Sequence, residues 1–322
     1  MTRTTSHDKP LREATRNPGW GGDGPEFASP EGSCPEYPGT MTKTWTLEDV
    51  MSLMEGWYPA ERAESWDRVG LILGDPGQKV ERILLAVDPV EATVSEAIDW
   101  GADLLLTHHP LYLRGTSFIP ESDPKGRSVA RLIRANIGLF NAHTNADASP
   151  EGVGEALGAL IGLKDMRVLV PMGVDEEGRQ IGHGRIGSVE PTRLEALADR
   201  IASVLPAGPT GLLLGGDLER IITRVAVSGG AGDSFLEDAR RAGADAFLTA
   251  DLRHHPASEH LEGGAPALLA GSHWATEWPW LPLLKSKLDA AARLANVSVD
   301  VKVSTIATEP WISHRSTRGG LK

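Results

Sequence analysis

Cysteine is almost missing from this sequence: among 322 residues there is only Cys34. Disulfides and thiolate metal sites are therefore excluded, and any metal must be held by nitrogen and oxygen ligands. Long apolar runs are missing as well. No stretch approaches the roughly 18 residues a membrane-spanning helix needs. The N-terminal segment, rich in Pro, Gly, Ser and charge, has no apolar core of the kind that directs secretion. A cytoplasmic protein with no membrane partner is the expectation. Basic runs are also absent, since the net charge is −12 and Lys and Arg are scattered. A nucleic-acid binder carries a basic face that neutralises phosphates, so nucleic acid is disfavoured as a partner. A bound cation could still reverse the field locally. Phosphate-cradling motifs are missing too. Ser228-Gly-Gly-Ala-Gly232-Asp233 lacks the third glycine of a dinucleotide fingerprint, and no Gly-Lys-Ser/Thr occurs. A tight turn is the simpler reading of that stretch.

What is present is an ordinary globular composition, 40% hydrophobic and 24% charged, at a length that suits about two domains. Residues 1–40 have few aliphatic side chains and are expected to be a disordered extension. Pattern starts at Met41, where TLEDVMSLMEGW has helical amphipathicity. Short apolar strands then alternate with helices. ILLAVD at 83–88 precedes a helical face of Val90, Val94, Ala97 and Ile98 that Gly101 closes. DLLLT at 103–107 is a buried strand, and another covers 138–142. Ser149-Pro150 resembles a helix start, and Thr192/Glu195 and Ser234/Glu237 resemble capping boxes. Alternating strands and helices argue an α/β fold.

A repeat is visible. Residues 83–109 run strand, helix, Gly-Ala-Asp, strand, Thr, paired His, and residues 222–255 run the same way. The expectation is two related α/β halves packed around a central metal-binding cleft, reached from the carboxyl ends of strands. One half spans 41–165 joined by 281–322, and the other spans 166–280.

Chemistry-bearing residues gather at these strand ends. His108 and His109 follow an apolar strand directly, and adjacent imidazoles there suit a metal, although paired loop histidines without a ligand role are common. Asp147 closes the segment Asn141-Ala-His143-Thr-Asn145-Ala-Asp147 as a hard carboxylate ligand or a turn residue. His143 suits a ligand, a support for one, or a core position. His273-Trp-Ala-Thr-Glu277 places an imidazole and a carboxylate four apart, on one face of a helix, and Pro279 puts the pair near a helix start. Asp251, His254 and His255 close the second repeat as proton carriers, substrate contacts or surface residues. Trp66-Asp67-Arg68-Val69-Gly70-Leu71 is a pocket wall or a core turn. His7, His183, His260 and His314 receive no role.

Taken together, WDRVGLILGDP at 66–76, GADLLLTHHPLYLRG at 101–115, AHTNADASPEGVGEALGALIGL at 142–163, VAVSGGAGDSFLEDARRAGADAFLTADLRHH at 225–255 and HWATE at 273–277 resemble the Ngg-interacting-factor-like family of dinuclear-metal-centre hexameric proteins. Many of its members are named GTP cyclohydrolase I type II homologue. The resemblance covers Met41 to about Ile312. It implies that His108, His109, Asp147, His273 and Glu277 ligate two divalent ions (Zn, Mn, Fe, Co or Ni), with Glu277 bridging and the paired histidines divided between them. It also implies a toroidal homo-hexamer with the sites facing an internal cavity. Trp274 departs from the Tyr or His often found there, and 164–224 is too short for the extra domain of larger relatives. A metal-dependent hydrolase of a nucleotide or phosphoester-like small molecule is one implied function, with His254 or His255 as catalytic proton carrier. A non-catalytic metal-delivery or scaffold ring is the other.

Overall fold

The computed structural model describes residues 43–316, so the extension expected over 1–40 lies outside the described residues. The first helix sits where the amphipathic pattern begins. After β1 (Trp45–Thr46), residues Thr46 and Asp49 cap α1 (Leu47–Trp57) reciprocally: Asp49 N–H donates to the Thr46 hydroxyl, and Thr46 N–H donates to the Asp49 carboxylate. Leu47, Val50 and Met54 form its buried face. Next come β2 (Gly70–Leu73), β3 (Lys79–Val80), β4 (Arg82–Ala86) and α2 (Glu91–Trp100). Gly101 ends α2 at φ 71°, a left-handed value glycine adopts without strain. β5 (Leu104–Thr107), α3 (Pro124–Arg134), β6 (Gly138–Asn141), α4 (Thr144–Ala148) and α5 (Val153–Leu160) follow.

The chain then runs through β7 (Lys164–Val174) and β8 (Gln180–Arg193), a long hairpin, to α6 (Leu194–Val204), β9 (Leu213–Gly215) and β10 (Ile221–Ala231). After these lie α7 (Leu236–Arg241), β11 (Ala246–Ala250), α8 (His254–Glu262), β12 (Ala267–Ala270) and α9 (His273–Glu277). The last elements are α10 (Trp280–Ala295) and β13 (Asp300–Val303). Among the described residues, no helix is long and apolar enough to cross a membrane.

Two principal sheets result. One has the order β13-β4-β5-β6-β2, parallel except for β2. The other has the order β7-β8-β10-β11-β12-β9, with β10, β11 and β12 parallel. Cover on both faces explains why the inner parallel strands β5, β6, β11 and β12 are almost wholly apolar. Leu104 and Leu106 point into a core shared with α1 and α10, while Leu105 points into another shared with α2 and α3. In the second sheet Leu248 faces the core under α6, and Phe247 faces the one under α7. Each fully buried leucine contributes about 1.5–3 kcal/mol, so both faces of both sheets must be covered. The mixed α/β architecture with two related halves is thereby established.

The repeat extends to individual hydrogen bonds. Asp103 Oδ2 accepts from the N–H groups of Glu81 and Arg82 at 2.8 and 2.9 Å. Asp245 Oδ2 accepts from those of Thr223 and Arg224 at the same two distances. Gly243 matches Gly101 at φ 73°. Thus Gly-Ala-Asp turns the chain out of a helix and ties the next strand to its neighbour. The offset that superposes these locks sets Ala250 and Asp251, rather than His254 and His255, opposite His108 and His109. The second histidine pair instead opens α8.

Three expected helix starts differ from the structure. Thr192 pairs with Ile222 in the β8–β10 ladder, so α6 begins without a side-chain cap. Ser234 lies in a 3₁₀ turn before α7. The Ser149 hydroxyl donates to Asn145 O at the end of α4, and α5 starts only at Val153.

Candidate metal centre

Three segments deliver the site. His108 and His109 extend β5, their N–H groups donating to Ala86 O and Val87 O at 3.1 and 2.8 Å. Asp147 projects from α4, which begins just beyond β6. His273 and Glu277 occupy the two ends of α9, one helical turn apart, and the Ser272 hydroxyl caps that turn by accepting from Ala275 N–H. Behind His108 lies Trp280, with ring centroids 5.5 Å apart. Trp280 Nε1–H donates to the Tyr58 hydroxyl at 3.2 Å, which donates to Glu151 O at 3.0 Å.

The imidazoles are fixed from behind. His108 Nδ1–H donates to Ala142 O at 2.9 Å, His109 Nδ1–H to Asp88 Oδ1 at 2.7 Å, and His273 Nδ1–H to Asp251 Oδ2 at 2.7 Å. A carbonyl or carboxylate only accepts, so each Nδ1 carries a proton and each neutral ring presents its Nε2 lone pair. All three Nε2 atoms converge on Glu277. His273 Nε2 is 2.9 Å from Oε1, His109 Nε2 is 3.1 Å from Oε2, and His108 Nε2 is 3.6 Å from Oε1 and 3.8 Å from Asp147 Oδ1. His109 and His273 bring their Nε2 atoms within 3.2 Å of each other.

These residues fit divalent ions. Ligand atoms about 2.0–2.2 Å from a tetrahedral ion lie roughly 3.4 Å apart, which is the spacing seen here. His108 Nε2 is buried without any hydrogen-bond partner. Leaving such an atom unsatisfied costs about 1–3 kcal/mol, a cost that coordination removes. Burial alone would raise the Glu277 carboxyl, but the His109, His108 and His273 imidazoles hold it well below the usual range. For His109, burial favours the neutral ring, yet Glu277 and Asp88 push it well above the ordinary value. His273 is moved the same way by Glu277 and Asp251, to about 9. Without metal, protons on these rings compensate the carboxylates, and a bound cation takes over that role.

His143 stands beside the cluster, its ring 5.2 Å from that of His108 and 5.4 Å from that of His109. Its Nδ1 is 3.0 Å from Asp67. Burial would raise the Asp67 carboxyl, but hydrogen bonds from His143 and Thr144 keep it well below its normal range. His108, His109 and His143 form one group able to hold a metal, and His109, His273 and Glu277 form another. Asp147 joins through His108.

Two cavities, about 500 and 470 Å³, flank the cluster. Asp147, His273 and Glu277 line the first, and His109, His273 and Asp251 line the second. His254 and His255 line neither. They are exposed at the start of α8, their rings stacked edge to face at 5.1 Å. Sequence reasoning passed over Asp88, whose position at the carboxyl end of β4 was the available signal. It also passed over His183, which lines the first cavity from between two glycines.

Comparison with known proteins identifies the family. The family model described as Duf34/NIF3 (NGG1p interacting factor 3) matches residues 45–310. A Streptomyces coelicolor protein named GTP cyclohydrolase 1 type 2 homolog is 49% identical over 269 residues, spanning 83% of this chain and 94% of that protein. A Clostridium perfringens protein of the same name is 36% identical over 267 residues, spanning 82% and 98%. Among solved structures, a hypothetical protein of Staphylococcus aureus superposes with TM-score 0.77 at 28% identity, covering 84% of this chain and all of that one. A Bacillus cereus protein related to NIF3 shares the fold, with TM-score 0.78 at 22% identity over 84% of this chain and 99% of that chain. Matched along nearly all of its described length, this chain belongs to the Duf34/NIF3 family.

Proposed function

We propose that this protein is a dinuclear metal-dependent hydrolase of a nucleotide or phosphoester-like small molecule. One observation carries the reading: three imidazoles, each locked with its Nδ1 proton turned outward, aim their Nε2 atoms at a single buried carboxylate. In this reading His108, Asp147 and Glu277 hold one ion, and His109, His273 and Glu277 hold the other. Bound there, divalent ions such as Zn, Mn, Fe, Co or Ni supply Lewis acidity and a lowered pKa for water.

The chain's own contributions are orientation and exclusion of solvent. Asp88 and Asp251 hold the protons at Nδ1 of His109 and His273. Leu106, Trp280 and the rest of the shared core keep water from the rear of the cluster. The open cavity in front favours catalysis over a metal-delivery or scaffold role, because a purely structural ion is closed off by its ligands. The names of the relatives make GTP a first compound to try. Family resemblance further suggests a homo-hexamer, which light scattering of the purified protein checks.

The test is metal analysis with activity. His108→Ala and Glu277→Ala are expected to lose stoichiometric metal while keeping the α/β circular dichroism spectrum. Asp147→Ala is expected to lose hydrolysis of GTP and of bis-p-nitrophenyl phosphate. Normal metal content in both of the first variants removes the site assignment, and activity unchanged in the third removes the two-metal chemistry.

A further inference from the structure

The part of the first cavity's lining around His183 is itself built. His183 is 8% exposed and sits in β8 between Gly182 at φ 146° and Gly184 at φ 61°. A Cβ at 182 would overlap Val170 O, and one at 184 would come within 2.8 Å of Val227 O. Only glycine allows this kink on either side of the histidine. Arg185 secures it: Nη1 donates to Gly182 O and Gly184 O at 3.1 and 2.7 Å, and Nη2 donates to Ser149 O and Pro150 O at 2.8 and 2.9 Å. The same guanidinium therefore joins the kink to the linker directly after Asp147 and α4. The His183 ring stacks on Phe235 at 5.7 Å with 22° between planes, and its Nε2 lies 3.0 Å from Glu64 Oε1. Glu64 is held in turn by its own N–H donating to Thr144 Oγ1 at 2.9 Å. Trp66 stands beside it on the same cavity.

The charge on this wall has one sign. Among the described residues no Lys or Arg lines the cavity, and its permanent charges are the carboxylates Glu64, Asp147 and Glu277. Arg185 is the next residue along the strand, but Glu155 and four backbone carbonyls already occupy its donors. Among the described lining residues, permanent positive charge is thus absent away from the cluster. A chain of phosphates reaching beyond the ions would meet Glu64 rather than a cation, which is unfavourable in a partly enclosed site. Planar aromatic faces and a carboxylate instead suit a flat ring with N–H donors.

We propose that Glu64, Trp66, His183 and Phe235 form the ring-binding half of the cavity, so that its ligand places a planar nitrogen heterocycle on this wall and one anionic group at the cluster. This rests on the reading of the cluster as a metal centre, and it specifies the class of compound that centre acts on. Polyphosphate beyond the first phosphate meets no Lys or Arg among the described residues that line the cavity.

The experiment is calorimetric titration of the manganese-loaded full chain with inorganic phosphate, guanosine 5′-monophosphate and GTP. Ring stacking is expected to make the monophosphate bind about tenfold or more tighter than phosphate. GTP is expected to stay within about threefold of the monophosphate. Phe235→Ala and His183→Ala should abolish the advantage of the ring, and Glu64→Gln should reduce it, while metal content and phosphate binding stay as in the wild type. GTP binding about tenfold tighter than the monophosphate overturns the proposal, and so does a ring advantage that is absent in the wild type or intact in both alanine variants. If phosphate still binds in those cases, the metal-centre reading survives alone. Failure of phosphate to bind the loaded wild type overturns both.

Discussion

The two halves share a scaffold and differ in what they hang on it. Each carries the Gly-Ala-Asp lock, with Asp103 and Asp245 accepting from paired backbone N–H groups at the same distances. Beyond the locked strands they diverge. The first half presents imidazoles directly, at His108 and His109. At the matching place the second half has Ala250 and Asp251, and its candidate ligands come from α9 instead. Asp251 therefore stands where a candidate ligand stands in the first half, but it orients His273. Similarly, the offset that matches the locks pairs Asp88, which orients His109, with Gly230. Gly230 has φ 63°, and a Cβ there would overlap Glu277 Oε1 and lie 3.0 Å from His273 Nε2. Duplicated backbones thus tolerate exchanged roles, provided the space taken by one half's side chains is vacated by the other.

That exchange can be broken most severely at Gly230. Gly230→Ala should abolish metal retention and also destabilise the metal-free fold by about 1–2 kcal/mol through its left-handed backbone. Elemental analysis and urea denaturation read the two effects, and full metal content would contradict the packing described. The orienting carboxylates come next. Asp88→Ala and Asp251→Ala should each weaken metal affinity roughly 10–100-fold, measured by competition with a chromophoric chelator. Equal losses would show that the two aspartates are equivalent despite their different strands, and no loss in either would refute the orienting role.

Acidity gives a smaller effect. His273 is raised from 6.5 to about 9, so its contribution to metal-free stability is complete below pH 6.5 and disappears as pH rises through about 9. The Glu277 carboxyl is lowered, so its contribution is present above pH 4.5 and is lost as pH falls well below that. The metal-free Tm should therefore gain most from the cluster between pH 4.5 and 6.5. The increment on metal loading should grow from pH 6.5 to 9, because ligation requires neutral rings. A loading increment that shrinks over this range would contradict protonated rings in the metal-free cluster. The smallest effect belongs to His254→Ala and His255→Ala, which should leave metal content unchanged, since both rings are exposed on α8 away from the lining residues.

Much of this was legible in the sequence because it depends on local rules. Gly101 and Gly243 mark helix ends through backbone freedom, and the runs ILLA and LLLT are apolar because both faces of a parallel sheet are covered. The ligand candidates stood out as imidazoles and carboxylates at strand ends. Their supports did not, because an aspartate after a strand looks the same whether it closes a turn or holds a ring. Thr192 looked like a cap because its spacing to Glu195 was right, but ladder pairing with Ile222 took precedence. His183 gave no periodic signal at all. Its neighbours Gly182 and Gly184 were the trace of a bent strand, and that is visible only once Val170 and Val227 are in place around it.

The contact between His109 and His273 spans 164 positions of the chain. During synthesis at about 5–20 residues per second, the first histidine pair leaves the ribosome roughly 8–33 s before its counterpart. Trp280, which backs His108 and bonds to Tyr58, is made later still. In the proposed reading, the site cannot be complete on a growing polypeptide until His273 and Glu277 have been made and packed against His108 and His109. Stoichiometric metal occupancy would then report that these two distant stretches of the chain have met.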